Sequence, residues 1–304
     1  LLYFQYFKYA PTFTEVYTFL KKKTSQKHLK EVLNKMIKKG LVKTNSQLSS
    51  IIHHPSSIIN HLTSTNIRYT LGEYSIKHKN AVQISQKKIE KIQMYTTLLS
   101  YFPHFQLVGL SGTVAMMNAK ENDDIDLFVI ATKNVMWTAR FFSILFAQLF
   151  GLRRKVGQTE VADKVCLNLF IDEQNLKVPK FKQTEYVAHE ILQMKPIFEK
   201  NDVYIRFIKA NKWVFDIFPN ALMSLRATTR DVYPVIKLQG SNLNTVTNKK
   251  INLFGKLLES ILKHLQLFLI NRHKTTEIIT DTQLWFFPDD FEKKLQGSDI
   301  INKK

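Results

Sequence analysis

Apolar residues recur at helical spacing in the first third of the chain and at strand spacing in the second. Leu29, Val32, Leu33, Met36 and Ile37 fall on one helical stripe, opened by Ser25 and closed by Gly40 after Lys38-Lys39. Ahead of it, residues 1–8 read as an aromatic-rich helix that Pro11 ends. Thr12 or Thr14 then caps a second helix through Leu20. Residues 41–44 and 67–71 read as short strands, with Gly72 in the turn after the second. The connection 45–66 is rich in Ser, Asn and His and is long for a hairpin loop.

Residues 80–100 predict a basic amphipathic helix. Ile84, Ile89, Ile92, Tyr95, Leu98 and Leu99 form its stripe, and Lys87, Lys88 and Lys91 are placed outside it. Pro103 stops it. A strand over 106–110 then meets a turn at Ser111-Gly112-Thr113, and a short helix over 114–118 follows. A polar turn at 120–123 leads into a strand over 124–131. Residues 137–150 read as an apolar helix closed by Gly151 and Arg153-Arg154, and 165–171 as a further strand. Beyond Pro179 the pattern is helical over 185–194, 204–218 and 251–279, with a loop over 224–250. The expected fold class is α+β: a mixed sheet with helices, a small helical unit before it and a helical C-terminal region. The boundaries fall at 1–80, 81–182 and 183–304. Three helices and a hairpin are the order of a winged helix, so 1–80 is expected to be winged-helix-like, with 25–39 as its recognition helix.

Charge adds a candidate partner. The 304 residues carry 44 Lys+Arg against 25 Asp+Glu, a net +19. Residues 1–95 hold 16 basic and 4 acidic side chains. That excess suits an anionic polymer, so nucleic acid is a candidate partner for residues 1–95. Most of the bases are Lys rather than Arg, which a solvated surface explains equally well. The single cysteine, Cys166, excludes an intrachain disulfide framework and a Cys-based zinc cluster, and fits a reducing, cytoplasmic setting. No signal peptide is read at the aromatic N-terminus, and the missing initiator Met reads as a trimmed start. The most apolar run, 141–152, is too short to span a bilayer, so no membrane partner is expected.

The chemistry concentrates in 107–130, LVGLSGTVAMMNAKENDDIDLFVI. A strand ends in Ser111-Gly112-Thr113 and enters a helix; glycine lets backbone approach a phosphate, and a helix start offers free N–H groups. Asp124 and Asp126 are two apart on a strand, so both carboxylates face one way. Such a pair can hold Mg²⁺ (or Mn²⁺) and leave positions for triphosphate oxygens. A solvated turn accounts for Asp123 but not for Asp126, which opens the buried run Leu127-Phe128-Val129-Ile130.

A Gly-Thr turn followed by Asp-Ile-Asp between apolar strands resembles the nucleotidyltransferase fold of the DNA polymerase beta superfamily. Further segments, WTARFF (137–142), GLRR (151–154), CLNLFID (166–172), AHEILQMKP (188–196) and Asn211…Trp213…Pro219-Asn220, resemble uncharacterised bacterial nucleotidyltransferase-like proteins with a winged-helix-like N-terminal segment. The resemblance implies a palm-like sheet and Mg²⁺-dependent transfer of a nucleoside monophosphate from an NTP to a hydroxyl acceptor. It implies that Ser111, Gly112 and Thr113 cradle the triphosphate and that Asp124 and Asp126 hold metal. It also implies a third carboxylate on a later strand, as general base. Asn168 stands at that position, and an amide takes no proton; Asp172, on the same strand face, either substitutes or merely ends the strand.

Arg140, Arg153 and Arg154 are candidates for triphosphate oxygens, although Arg153-Arg154 also suits a helix C-terminus. His189-Glu190 lacks the second histidine of a zincin and reads as packing or support for the site. Trp213, Trp285, Phe286 and Phe287 read as core anchors, and His53-His54 as surface. Two alternatives accompany the enzyme: a weak or silent transferase-like protein serving as a nucleic-acid-binding or regulatory module, and a protein-interaction module.

Overall fold

The computed structural model of the chain describes residues 1–44, 67–71, 78–154, 160–223, 253–272 and 277–286. The fold is α+β and the described residues divide into two compact units. The first comprises Leu1–His78 with Lys212–Val232 and Lys293–Lys304; the second comprises Lys79–Asn211 with Tyr233–Glu292. The expected connection 45–66, the loop 224–250, His53-His54 and Phe287 lie outside the described residues.

In the first unit, helices α1 (Leu2–Tyr6), α2 (Phe13–Thr18) and α3 (Gln26–Lys38) accompany strands β1 (Lys43–Thr44) and β2 (Tyr69–Thr70), paired antiparallel. Thr12 caps α2 with a full capping box to Glu15, and Ser25 accepts the His28 N–H at the start of α3. Val16, Tyr17, Leu29, Leu33, Val42 and Tyr69 form the core. Lys27, Lys30, Lys35, Lys38 and Lys39 are exposed, as are Lys21, Lys22 and Lys23. Asn220 pins that tri-lysine segment: its Nδ2 donates to Lys22 O at 2.9 Å and its Oδ1 accepts Thr24 N–H at 3.0 Å.

The second unit opens with α4 (His78–Tyr101), then β3 (Phe105–Leu110), α5 (Gly112–Ala115), β4 (Ile125–Ala131), α6 (Met136–Leu149) and β5 (Val165–Asp172). After a 3-10 turn at Lys180–Lys182 come α7 (Glu185–Gln193), β6 (Lys195–Glu199) and α8 (Val203–Ala210). Helix α9 (Val214–Ile217) belongs to the first unit, and α10 (Leu253–Asn271), β7 (Ile278–Ile279) and β8 (Gln283–Trp285) complete the second. The sheet runs β6-β3-β4-β5-β8-β7. Only β4 and β5 are parallel, and α6 supplies the crossover between them.

The C-terminal third is less helical than the sequence predicts. It contributes β6, β7 and β8 to the sheet, so a division at 182 falls inside one hydrogen-bonded layer. β6 carries Pro196, which a sheet edge tolerates. The helix expected over 204–218 breaks at Asn211, whose buried side chain takes the Val178 N–H and donates to Leu176 O and Phe207 O. Lys88, expected outside the apolar stripe, is 1% exposed. Its ammonium donates to Glu121 O, Asp123 O and Asp163 Oδ1 at 2.9, 2.7 and 2.7 Å. A buried ammonium needs such a full set of acceptors; two come from the turn that delivers Asp124 and the third from Asp163, just ahead of β5.

Candidate active site

Two parallel strands and one antiparallel neighbour bring the site together. β4 and β5 start side by side, with Asp126 in register with Cys166. β3 runs the other way and ends where they begin, Leu110 opposite Leu127. The turn after β3 is thereby delivered onto Asp126, whose main-chain O accepts the Ser111 N–H at 3.0 Å. Gly112 follows at φ +61°, a left-handed conformation that favours glycine. A Cβ there would stand 2.3 Å from Asp126 Oδ2, so turn and carboxylate fit only because position 112 has no side chain.

Asp124, Asp126 and Cys166 present ligand atoms that all lie within 4.8 Å of one another. Asn168, at a register shift in β5, donates its amide to Asp126 Oδ1, and its Oδ1 accepts the Cys166 thiol at 2.9 Å. Arg154 reaches Asp124 Oδ2 at 3.0 Å. Thr113 donates its hydroxyl to Asp123 Oδ2 at 3.0 Å, which also accepts the Lys120 N–H. Asp123 thus closes the turn, as its polar neighbours predict. The Ser111 hydroxyl is buried and has no hydrogen-bond partner among the described residues.

Glu190, from α7, adds a carboxylate. Its Oε2 accepts the Gly112 N–H at 3.4 Å, on the glycine that packs against Asp126. Burial holds Glu190 up at about 7, opposed by that backbone donor. Burial also pushes Asp126 up to about 8, and the charges of Asp124 and Glu190 add to the shift while the Asn168 amide opposes it. Asp126 retains some accessible surface, so it is crowding around the carboxyl group that strips its water. Burial, followed by the charges of Asp126 and Asp124, raises the Cys166 thiol to about 12. The cluster is therefore two hard carboxylate oxygens with a neutral thiol beside them, short of positive charge at Asp126. That donor set could hold a hard divalent cation such as Mg²⁺ or Mn²⁺, whose charge would offset the repulsion between the carboxylates.

Of the residues singled out from sequence, Ser111, Gly112, Thr113, Asp124 and Asp126 come together. Asp172 does not join them. It is in register with Ala131, at the far end of the strand pair and five residues along from Asp126, about 17 Å away at roughly 3.3 Å per residue. Its carboxylate takes the Asn134 N–H at 2.7 Å and the Gln174 N–H at 3.0 Å, so it ties two loops to the strand end. Of the two candidates for the third position, Asn168 is the one at the site. Arg140 also serves elsewhere: it donates to Gln266 Oε1 on α10 at 2.7 Å and lies over the Phe286 ring at 5.0 Å.

Cys166 and Lys88 escaped the sequence pattern, while Glu190 was read as packing or support and Arg154 as a candidate for triphosphate oxygens. Cys166 had a signal, since a parallel strand starting beside β4 must put some residue opposite Asp126. Lys88 had one too, lying four residues from both Ile84 and Ile92 on the stripe itself. Glu190 sits among the buried Val187, Ala188, His189 and Ile191, where a carboxylate calls for a partner. Arg154 reads from sequence either as a phosphate contact or as a helix-end charge, and the fold brings it to Asp124. Comparison of the chain with family models, curated proteins and solved structures finds no match.

Proposed function

We propose that the chain is a divalent-cation-dependent nucleotidyltransferase. It moves a nucleoside monophosphate from an NTP to a hydroxyl-bearing acceptor and releases pyrophosphate. The observation that carries this reading is the fit of Gly112 onto Asp126, which sets a side-chain-free turn directly against the Asp124–Asp126 carboxylate pair. Asp124 and Asp126 would hold Mg²⁺ or Mn²⁺, which when bound supplies charge neutralisation to the phosphates.

The protein's own groups then have separate tasks. Asp126 keeps its orientation through Asn168, and Glu190 fixes the Gly112 amide. The Ser111 hydroxyl, unpaired among the described residues, is a donor for a phosphate oxygen. Arg154, on Asp124, is placed to exchange that carboxylate for phosphate, which guanidinium binds well. In the transfer the acceptor oxygen bonds to the α-phosphorus, the bond to the bridging oxygen breaks, and its electrons leave with pyrophosphate. Asn168 cannot take the acceptor's proton, which passes to solvent; slow turnover follows.

The test is nucleotide labelling of candidate RNA, DNA and protein acceptors with each NTP and Mg²⁺. Labelling that disappears in Asp126→Ala supports the enzyme. Absence of both Mg²⁺-dependent NTP binding and any change in Asp126→Ala ends the reading. The second reading, a silent transferase-like protein that binds nucleic acid through the exposed lysines of residues 1–95, draws on the amide at 168. It predicts salt-sensitive RNA or DNA binding without labelling.

A further inference from the structure

Helix α10 is apolar on both sides, yet among the described residues only one side is covered. Its inner side is fixed to α6. Leu262 and Gln266 are buried, Gln266 Nε2 donates to Trp137 O at 2.8 Å, and Glu259 accepts the Trp137 and Thr138 N–H groups at 2.8 Å each. Glu259 so caps the start of α6, where Val135 offers no side-chain oxygen. With these bonds in place the helix cannot roll to bury its other face. That face carries Leu253, Phe254, Leu257, Ile261, Leu265, Phe268 and Leu269, each at least half exposed and Leu253 85% so.

The area is that of an interface. At on the order of 150–200 Å² for a large apolar side chain, these exposures leave roughly 600–800 Å² open to water. The largest patch on a typical monomer is about 300–600 Å², and a stable interface takes about 800 Å² from each partner. Charge is confined to the margin of this face, where Arg272 lies over the Phe268 ring at 4.4 Å.

The order of the residues says which partner fits. Around Ile261 the stripe is a palindrome: Leu257 and Leu265 lie four residues to either side, Phe254 and Phe268 seven, Leu253 and Leu269 eight. A two-fold axis through Ile261 sets two copies of α10 antiparallel. Each phenylalanine then meets the other phenylalanine of the second copy, each leucine a leucine, and Ile261 itself. An isologous dimer requires such self-complementarity, and any other partner leaves the palindrome without a cause. The spacings of three and four residues suit helices packed nearly antiparallel.

We infer that the chain forms a two-fold symmetric homodimer through the exposed face of α10, with Ile261 on the axis. This interface is independent of the proposed chemistry at Asp126.

Sedimentation velocity of the full chain across a concentration series tests it. The expected species is a dimer of twice 35.6 kDa. Ile261→Glu puts two like charges on the axis and is expected to sediment as a monomer with an unchanged far-UV spectrum. A cysteine scan gives a second readout with a short thiol cross-linker. Ile261→Cys links two copies; Leu253→Cys does not, because it faces Leu269 of the other copy, but Leu253→Cys with Leu269→Cys links. A chain that stays monomeric at every concentration overturns the inference. So does an Ile261→Glu variant as dimeric as the parent, a Leu253→Cys yield equal to that of Ile261→Cys, or vesicle binding without self-association.

Discussion

Asp126 and Asp172 sit at opposite ends of the same pair of parallel strands, and burial raises both carboxyls above their ordinary range, to about 8 and about 6. Their surroundings differ. Asp172 has a backbone N–H on each oxygen and so is supplied with what a buried carboxylate needs. Asp126 has one amide donor, three carboxylates nearby (Asp124, Glu190 and Asp123) and a glycine pressed against its other oxygen. One end of the strand pair is finished as a structural cap, while at the other Asp126 has a single side-chain donor among like charges. A buried acid alone does not distinguish a site from a strut; the count of donors on its oxygens does.

The sharpest way to break this contrast is to remove each acid in turn. Asp126→Ala is expected to lower nucleotide transfer by about 10²–10³-fold or more, the scale of losing one electrostatic group from a transition state. Its thermal midpoint should hold steady or rise, because like-charge repulsion is relieved. Transfer assays and melting curves on the same preparation check both halves. Next in size is Gly112→Ala. Its Cβ would strike Asp126 Oδ2 from a left-handed backbone, so NTP affinity measured by calorimetry is expected to fall roughly 10- to 100-fold. The cost in stability, read from urea unfolding, should be about 1–3 kcal/mol.

Asp172→Ala should give the opposite profile. It leaves the Asn134 and Gln174 N–H groups without their acceptor, for a loss of about 1–3 kcal/mol, and should leave Mg²⁺–NTP affinity unchanged. The contrast also predicts a pH dependence. Asp126, Glu190 and Asp172 have folded-state values near 8, 7 and 6, against about 4 when unfolded. Between those values the folded protein binds more protons than the unfolded chain. Stability present at about pH 4 is therefore lost as pH rises through 6 to 8. Urea midpoints across that range should show the decline, and Asp126→Asn should remove its uppermost part.

Much of this arrangement is legible in the residues. The order of elements through β5 follows from apolar periodicity with Pro103, Gly112 and Gly151 as punctuation. The site turn and the Asp124–Asp126 pair follow from spacing on a strand. The remainder depends on long-range pairing. β6 is a short edge strand interrupted by Pro196, with a helix directly before it, so local pattern favours a helix ending. β8 is a three-residue strand whose Trp285 reads as a packing residue and in fact packs within the sheet. Lys88 violates the rule that a lysine lies off the apolar stripe, because two segments farther along the chain, the 121–123 turn and Asp163, deliver three oxygens to it. Asp172 looks like a site residue because strand alternation gives its face but not its depth along the strand. Register with Ala131 rather than Asp126 decides its role.

The most direct test of the contrast is a calorimetric titration of Mg²⁺, with a non-hydrolysable NTP present, into three proteins: the parent chain, Asp126→Asn and Asp172→Asn. Saturable Mg²⁺-dependent binding to the parent and to Asp172→Asn, lost in Asp126→Asn, is the predicted result. Equal binding by Asp126→Asn and the parent, or loss of binding in Asp172→Asn alone, would contradict it.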